Sequence, residues 1–266
     1  MGDASSTSKS NPDPEHVLEH GEDVAAAAPR FKILPGSPIS KARCHHLLIM
    51  SLAFTHGAAN VICLIQFGIY ASFVTGNTLS AARAFGASQA ADGAYYSSVV
   101  GAYFVGVVAA QPAIVQKSRM SALAPIPIAL GALTSLARWA SGGSRYSILV
   151  LMPMLGFVNT VTQSVDGVTT HLYTGHWTKV GQNLYVLVTK GWRPGAHSAQ
   201  LSVSLSVIAA FFVGAVASQA FFLAVFDGGV PLGTSAVIGF IYALLLVLRD
   251  PLIRTPDSST TSTNRS

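Results

Sequence analysis

Charge is scarce in this chain: Asp, Glu, Lys and Arg make up 10% of its 266 residues against 50% hydrophobic residues, and the mean hydropathy is +0.48. Soluble domains carry charge on roughly a quarter of their residues, so a water-covered surface is excluded for most of this sequence. Cysteine is nearly absent. Cys44 precedes an apolar run, Cys63 lies within one, and no CxxC occurs, which excludes a disulfide framework and a cysteine metal cluster. Enzyme signatures are missing too: there is no GxSxG, HExxH, phosphate-binding loop or paired acidic motif. His171, His176 and His197 lack the spacing of a metal set, so neither a metal nor another cofactor is expected. The formal charge of +5 would suggest nucleic acid only if it clustered on a water-facing surface. Lys and Arg instead flank the apolar runs, and no nucleic-acid partner is expected.

What is present is a series of apolar runs of about 17 to 22 residues, the length that crosses roughly 30 Å of hydrocarbon as helix. The expected fold is therefore all-α: a polytopic membrane helix bundle with about eight membrane segments, in the plasma membrane or an internal organelle membrane. The segments fall near 46–66, 70–85, 97–116, 121–138, 147–166, 170–189, 201–224 and 231–248. Residues 1–43 and 250–266 are hydrophilic and rich in Ser and Pro or in Ser and Thr, and are expected to be disordered tails. Residues 1–43 contain no apolar core of a cleavable signal, so the first span is expected to direct insertion.

Eight crossings with both termini cytoplasmic put Arg30, Lys32, Lys41, Arg43, Arg83, Arg138, Arg145, Lys190, Arg193, Arg249 and Arg254 inside. Lys117 and Arg119 fall outside. That bias fits the positive-inside rule.

The sequence also repeats. "HGAANV" (56–61) lies at the place of "GFVNTV" (156–161), "FVTGNTLSAARAFG" (73–86) corresponds to "LYTGHWTKVGQNLY" (172–185), and "GAYFVGVVAAQ" (101–111) to "AAFFVGAVASQ" (209–219). Two membrane repeats, 44–140 and 141–249, follow. Four crossings per half is an even number, so the halves are expected to be parallel and pseudo-symmetric about an axis along the membrane normal.

Polar residues then stand out against the apolar background. His56, Asn60 and Cys63 recur at four and three residues and share a helix face, as do Asn159, Thr162, Gln163 and Asp166. Thr75, Gly76, Asn77 and Thr78 open the second segment, and Thr174, Gly175 and His176 open the sixth. These openings either break a membrane helix beside a watery path or simply cap and pack two helices. Asn77 needs partners for its amide if it points inward. His56 and Asp166 are the candidates for ion coupling. Faces of small residues, such as Gly101 and Gly106, suit helix packing and would allow a homo-oligomer.

With those motifs in view, residues 45–248 resemble the YoaK-like family of uncharacterised multi-spanning membrane proteins, found in bacteria and fungi. The resemblance rests on "FVTGNTLSAARAFG", "GAYFVGVVAAQ" and "GFVNTVTQSVDG" with "THLYTGHWTKVG". The family pattern implies an aspartate in the first span where this chain has Asn60, and a Thr-Gly-x-x-Thr matched by Thr174, Gly175 and Thr178. It implies the membrane architecture and names no substrate.

The functional expectation is a transporter or permease for a small polar or weakly acidic solute, facilitated or ion-coupled. Its expected site lies between His56, Asn60, Thr75, Gly76, Asn77 and Thr78 on one side and Asn159, Gln163, Thr174, Gly175 and His176 on the other. The competing expectation is a membrane scaffold or assembly protein without a path.

Overall fold

A computed structural model describes residues 41–115, 120–166, 173–191 and 195–253. The described helices are, in chain order, α1 (Lys41–Phe67), α2 (Val74–Gly86), α3 (Ala90–Val115), α4 (Met120–Leu123), α5 (Pro125–Ala140), α6 (Ile148–Asp166), α7 (Tyr173–Lys190), α8 (Ala196–Phe226) and α9 (Thr234–Ile253). No strand occurs among the described residues. Cys44–Phe67, Ala90–Val115, Met120–Ala140, Arg145–Gln163 and His197–Phe226 are long and apolar enough to cross a membrane, and Thr234–Arg249 is a shorter apolar helix. The protein is an all-α polytopic membrane bundle, as its hydropathy implies. The two tail expectations fall almost wholly outside the described residues.

Local sequence accounts for several helix ends. Gly68, at φ +69°, stops α1: its N–H bonds to the Leu64 carbonyl at 3.0 Å and the Ile69 N–H to that of Cys63 at 3.4 Å, the paired closure that a left-handed glycine permits. Pro125 opens α5, where its missing N–H has no intrahelical partner to lose.

Packing depends on three pairs of glycines. α1 crosses α8 with Gly57 against the Phe211 carbonyl and Gly214 against that of Phe54. α3 crosses α6 with Gly106 against Pro153 and Gly156 against Tyr103, and α5 crosses α9 with Gly131 against Ser235 and Gly239 against Pro127. At each position a Cβ would lie closer than 3.0 Å to a facing carbonyl, so the backbones approach only because no side chain intervenes.

Contacts between helix ends define their directions. The Tyr95 hydroxyl, near the start of α3, donates to the Phe67 carbonyl at the end of α1 over 2.8 Å. Arg138, near the end of α5, stacks 4.9 Å from the Phe67 ring centroid, and Arg145, just before α6, pairs with Asp92 at 2.6 Å. Gln66 donates to the carbonyls of Val230 and Pro231, between α8 and α9, at 3.2 Å each. One end of the bundle thus gathers the finish of α1, α5 and α8 and the start of α3, α6 and α9. At the other end, Arg249 near the finish of α9 donates to the Thr162 carbonyl near the finish of α6 at 3.4 Å.

Two expectations are corrected by these contacts. α2 leaves and returns to one end, and α7 leaves and returns to the other, so neither traverses the bundle. Its 13 residues give α2 about 20 Å of helix, short of the hydrocarbon thickness. The expectation of parallel halves also fails: α1, which carries residues 56–61, and α6, which carries residues 156–161, run in opposite directions.

The chain between α1 and α2 folds back into the bundle. Ser72 bonds to Asn60, which lies seven residues before Phe67, or about 10 Å of helix. Phe73 packs edge-on against Phe211, centroids 6.2 Å apart, and Phe211 belongs to the α1–α8 crossing. α2 therefore starts at mid-height and climbs back to the start of α3, where the Phe85 ring covers Gly93.

Candidate functional site

The face of α1 anticipated from spacing is buried: His56 and Cys63 are fully enclosed and Asn60 nearly so. The Nδ1 of His56 lies 2.8 Å from the Leu52 carbonyl. A carbonyl only accepts, so Nδ1 carries the proton and Nε2 presents a lone pair. The His56 ring meets Tyr242 of α9 with centroids 4.8 Å apart.

Asn60 and Asn77 act as two clasps on the α1–α2 connection. Asn60 Nδ2 donates to the His56 carbonyl at 2.9 Å and the Ser72 hydroxyl at 2.7 Å, while its Oδ1 accepts the Ser72 N–H at 3.2 Å. Asn77 accepts the Tyr70 N–H at 3.1 Å and donates to the Tyr70 carbonyl at 2.7 Å. A non-helical segment packed into a membrane bundle needs partners for its backbone groups, and these two amides supply them for Tyr70 and Ser72.

The other anticipated residues divide. Thr75 and Thr78 are exposed on the outer face of α2 beside Leu79, which is 71% exposed, and Thr78 spends its hydroxyl on the Val74 carbonyl at 2.9 Å. Gly76 sits against the Tyr70 ring. In the second half Asn159 Nδ2 donates to the Tyr103 hydroxyl, and Gln163 is exposed. His176 is buried in the opening turns of α7. The surroundings of Asp166, Thr174 and Gly175 lie outside what the structure describes, and with them the Asp166 coupling expectation. The structure therefore joins His56, Asn60 and Asn77 in one buried region around α1, and turns Thr75, Thr78 and Gln163 away from it.

Four participants escaped the sequence reading: Ser72, Tyr103, Tyr242 and Arg249. Tyr103 and Tyr242 are buried inside apolar runs, where a phenol reads as another packing ring. Their signal is that tyrosine stands where phenylalanine would fill the space without a hydroxyl to satisfy. Arg249 is fully buried near the end of α9, where the hydropathy pattern suggested a cytoplasmic flank.

This helical core, from Leu48 in α1 to Val247 in α9, matches the family described as Protein of unknown function (DUF1275). The chain belongs to the DUF1275 family. The family resemblance seen in its motifs is thereby borne out, and the family unit coincides with the bundle, excluding both expected tails. No curated protein and no solved structure matches the chain.

Proposed function

We propose that this DUF1275 member is a transporter or permease for a small polar or weakly acidic solute, facilitated or ion-coupled. The observation that carries the reading is the half-height start of α2. Phe73 stands at its N-cap and offers no side-chain bond, and the first helical N–H to find a carbonyl is that of Asn77, bonded to Phe73 at 3.1 Å. The N–H groups of Val74, Thr75 and Gly76 are therefore left without helical acceptors. Such a helix start, held within membrane depth, is tolerated where protein or a watery cavity meets it, and it favours the oxygen end of a solute.

Six crossings, α1, α3, α4 with α5, α6, α8 and α9, fit the five long apolar stretches and the shorter apolar α9. Exchanging the two halves leaves the helix pairing unchanged: α1 on α8 becomes α6 on α3, α2 on α3 becomes α7 on α8, and α5 on α9 maps onto itself. The glycines follow, with Gly57 exchanged for Gly156, Gly106 for Gly214 and Gly131 for Gly239. Three crossings per half is odd, which makes the repeats inverted about an axis in the membrane plane. Of the 16 Lys and Arg residues, this topology leaves only Arg83, Arg138 and Arg145 on the far side and Lys179 within α7. That bias supports cytoplasmic termini.

A scaffold reading is favoured by one observation, the engagement of both the carbonyl and the amide nitrogen of Asn60 and of Asn77 within the protein. Uptake separates the two. Purified protein in sealed liposomes, at two imposed pH gradients, is expected to give saturable uptake of at least one solute from a panel of small amides, polyols and weak acids. Absence of uptake from folded, correctly inserted protein would favour the scaffold.

A further inference from the structure

The glycine of α8 is spent inside the bundle, where Gly214 meets the Phe54 carbonyl. Another face of the same helix is uncovered: Phe212, Val216, Leu223 and Phe226 all stand exposed. With Gln219 they fall at intervals of four, three, four and three residues, the spacing that keeps one seam of a helix against a partner helix in a left-handed pair. Along this seam, Val61 of α1 and Ala215, Val216, Gln219, Ala220 and Leu223 of α8 line an open hollow of about 390 Å³.

Gln219 is the one polar side chain in that lining, and it makes no hydrogen bond among the described residues. Gln111, which faces outward from α3, instead donates to the Val107 carbonyl of its own helix at 3.3 Å. α1 and α8 finish at the same end of the bundle, and Gln219 stands seven residues, or about 10 Å of helix, before the finish of α8. Its level is therefore that of Val61 and Asn60, within lipid depth. Acyl chains can fill the hollow but offer an amide neither a donor nor an acceptor. A facing helix that carries an amide offers both.

We propose that this face of α8 seats α8 of a second copy of the chain in the same orientation, with the two Gln219 amides hydrogen-bonded to each other. A two-fold axis along the membrane normal sets a patch against its own copy, and an amide has both a donor and an acceptor, so one Gln219 satisfies the other. The apolar seam residues on either side enter the partner's hollow as knobs. A single polar residue in an apolar seam fixes the register, so the two helices pair at one offset. A copy in the opposite orientation would carry its Gln219 at the opposite depth and lose the bond. The interface needs no solute path, and it holds under the transport reading and the scaffold reading alike.

Disulfide trapping tests the seam in the full chain, with the exposed Cys44 replaced by serine and the buried Cys63 kept. Leu223→Cys is oxidised in lipid vesicles at high dilution beside Phe221→Cys, a position that is also exposed but about 160° around the helix. Two cysteines bridge only when their Cα atoms come within about 7 Å. The expected result is a covalent dimer from Leu223→Cys and little from Phe221→Cys. Adding Gln219→Leu to the Leu223→Cys chain is expected to raise the protein-to-lipid ratio for half-maximal bridging by about 10-fold, as the loss of interhelical hydrogen bonds requires, with no fall in unfolding temperature. Absent bridging at 223, equal bridging at 221, or bridging indifferent to Gln219→Leu overturns the interface and leaves the hollow to lipid. A Gln219→Leu chain that does not fold also overturns it, because the amide would then serve the protein's own structure. The mass of the cysteine-intact chain in detergent, followed across dilution, reads the same dimer without any substitution, and a monomer at every concentration contradicts it.

Discussion

Gly106→Val is expected to yield no stably folded protein, while Gly101→Val, on the same helix, is expected to behave as the unaltered chain does. At Gly106 an added Cβ would fall onto the Pro153 carbonyl, a backbone atom that can move only by separating α3 from α6. At Gly101 nothing lies within 4 Å. Overpacking in a close-packed interface costs about 1–3 kcal/mol when side chains can yield, and more when backbone must. Here the reciprocal contact of Gly156 with Tyr103 is lost as well, so the cost reaches about 4 kcal/mol or more, a large part of a total stability of roughly 5–15 kcal/mol. Size-exclusion profiles and unfolding temperatures of the two variants check this. Equal profiles would contradict the α3–α6 crossing.

Asn60→Ala combined with Asn77→Ala is expected to release the α1–α2 connection while leaving α5 and α9 packed. Each substitution orphans buried backbone or hydroxyl groups at a cost of about 1–3 kcal/mol. For Asn60 these are the Ser72 N–H and hydroxyl; for Asn77 they are both backbone groups of Tyr70. Hydrogen exchange at Tyr70 and Ser72 should rise by about 10-fold for each 1.4 kcal/mol lost locally, with little change in α5. Exchange that stays at its original rate would mean the two amides do not hold the segment. The two residues clasp neighbouring positions, so the double variant is expected to depart from additivity.

Those asparagines mark how far sequence reasoning carries. Asn60 and Asn77 were visible because an amide inside an apolar run demands partners. Those partners, Ser72 and Tyr70, were hidden because they lie in a fold-back with no periodic signal. Likewise every traversing helix falls on an apolar run. The failures are at residues 70–85 and 170–189: hydropathy registers a stretch without saying whether it crosses or turns back. Charge could not arbitrate, since treating α2 and α7 as fold-backs moves Arg83, Arg138 and Arg145 outward and brings Lys117 and Arg119 inward, leaving nearly the same bias. Counting the stretch as a crossing made each half even and so parallel. Tyr103 and Tyr242 were passed over for a different reason, because whether a phenol packs or bonds depends on helices distant in sequence.

The arrangement of α2 and α7 as fold-backs on opposite sides is tested most directly by side-specific labelling. In a chain with Cys44 and Cys63 replaced by serine, single cysteines are introduced as Ser88→Cys after α2, Gly195→Cys before α8 and Gly229→Cys between α8 and α9. Each is treated with a membrane-impermeant maleimide on oriented vesicles. Six crossings with two fold-backs predict that positions 88 and 229 label from one face and position 195 from the other. Labelling of 88 and 195 from one face with 229 opposite would mean that α2 and α7 cross the membrane, and would contradict the account.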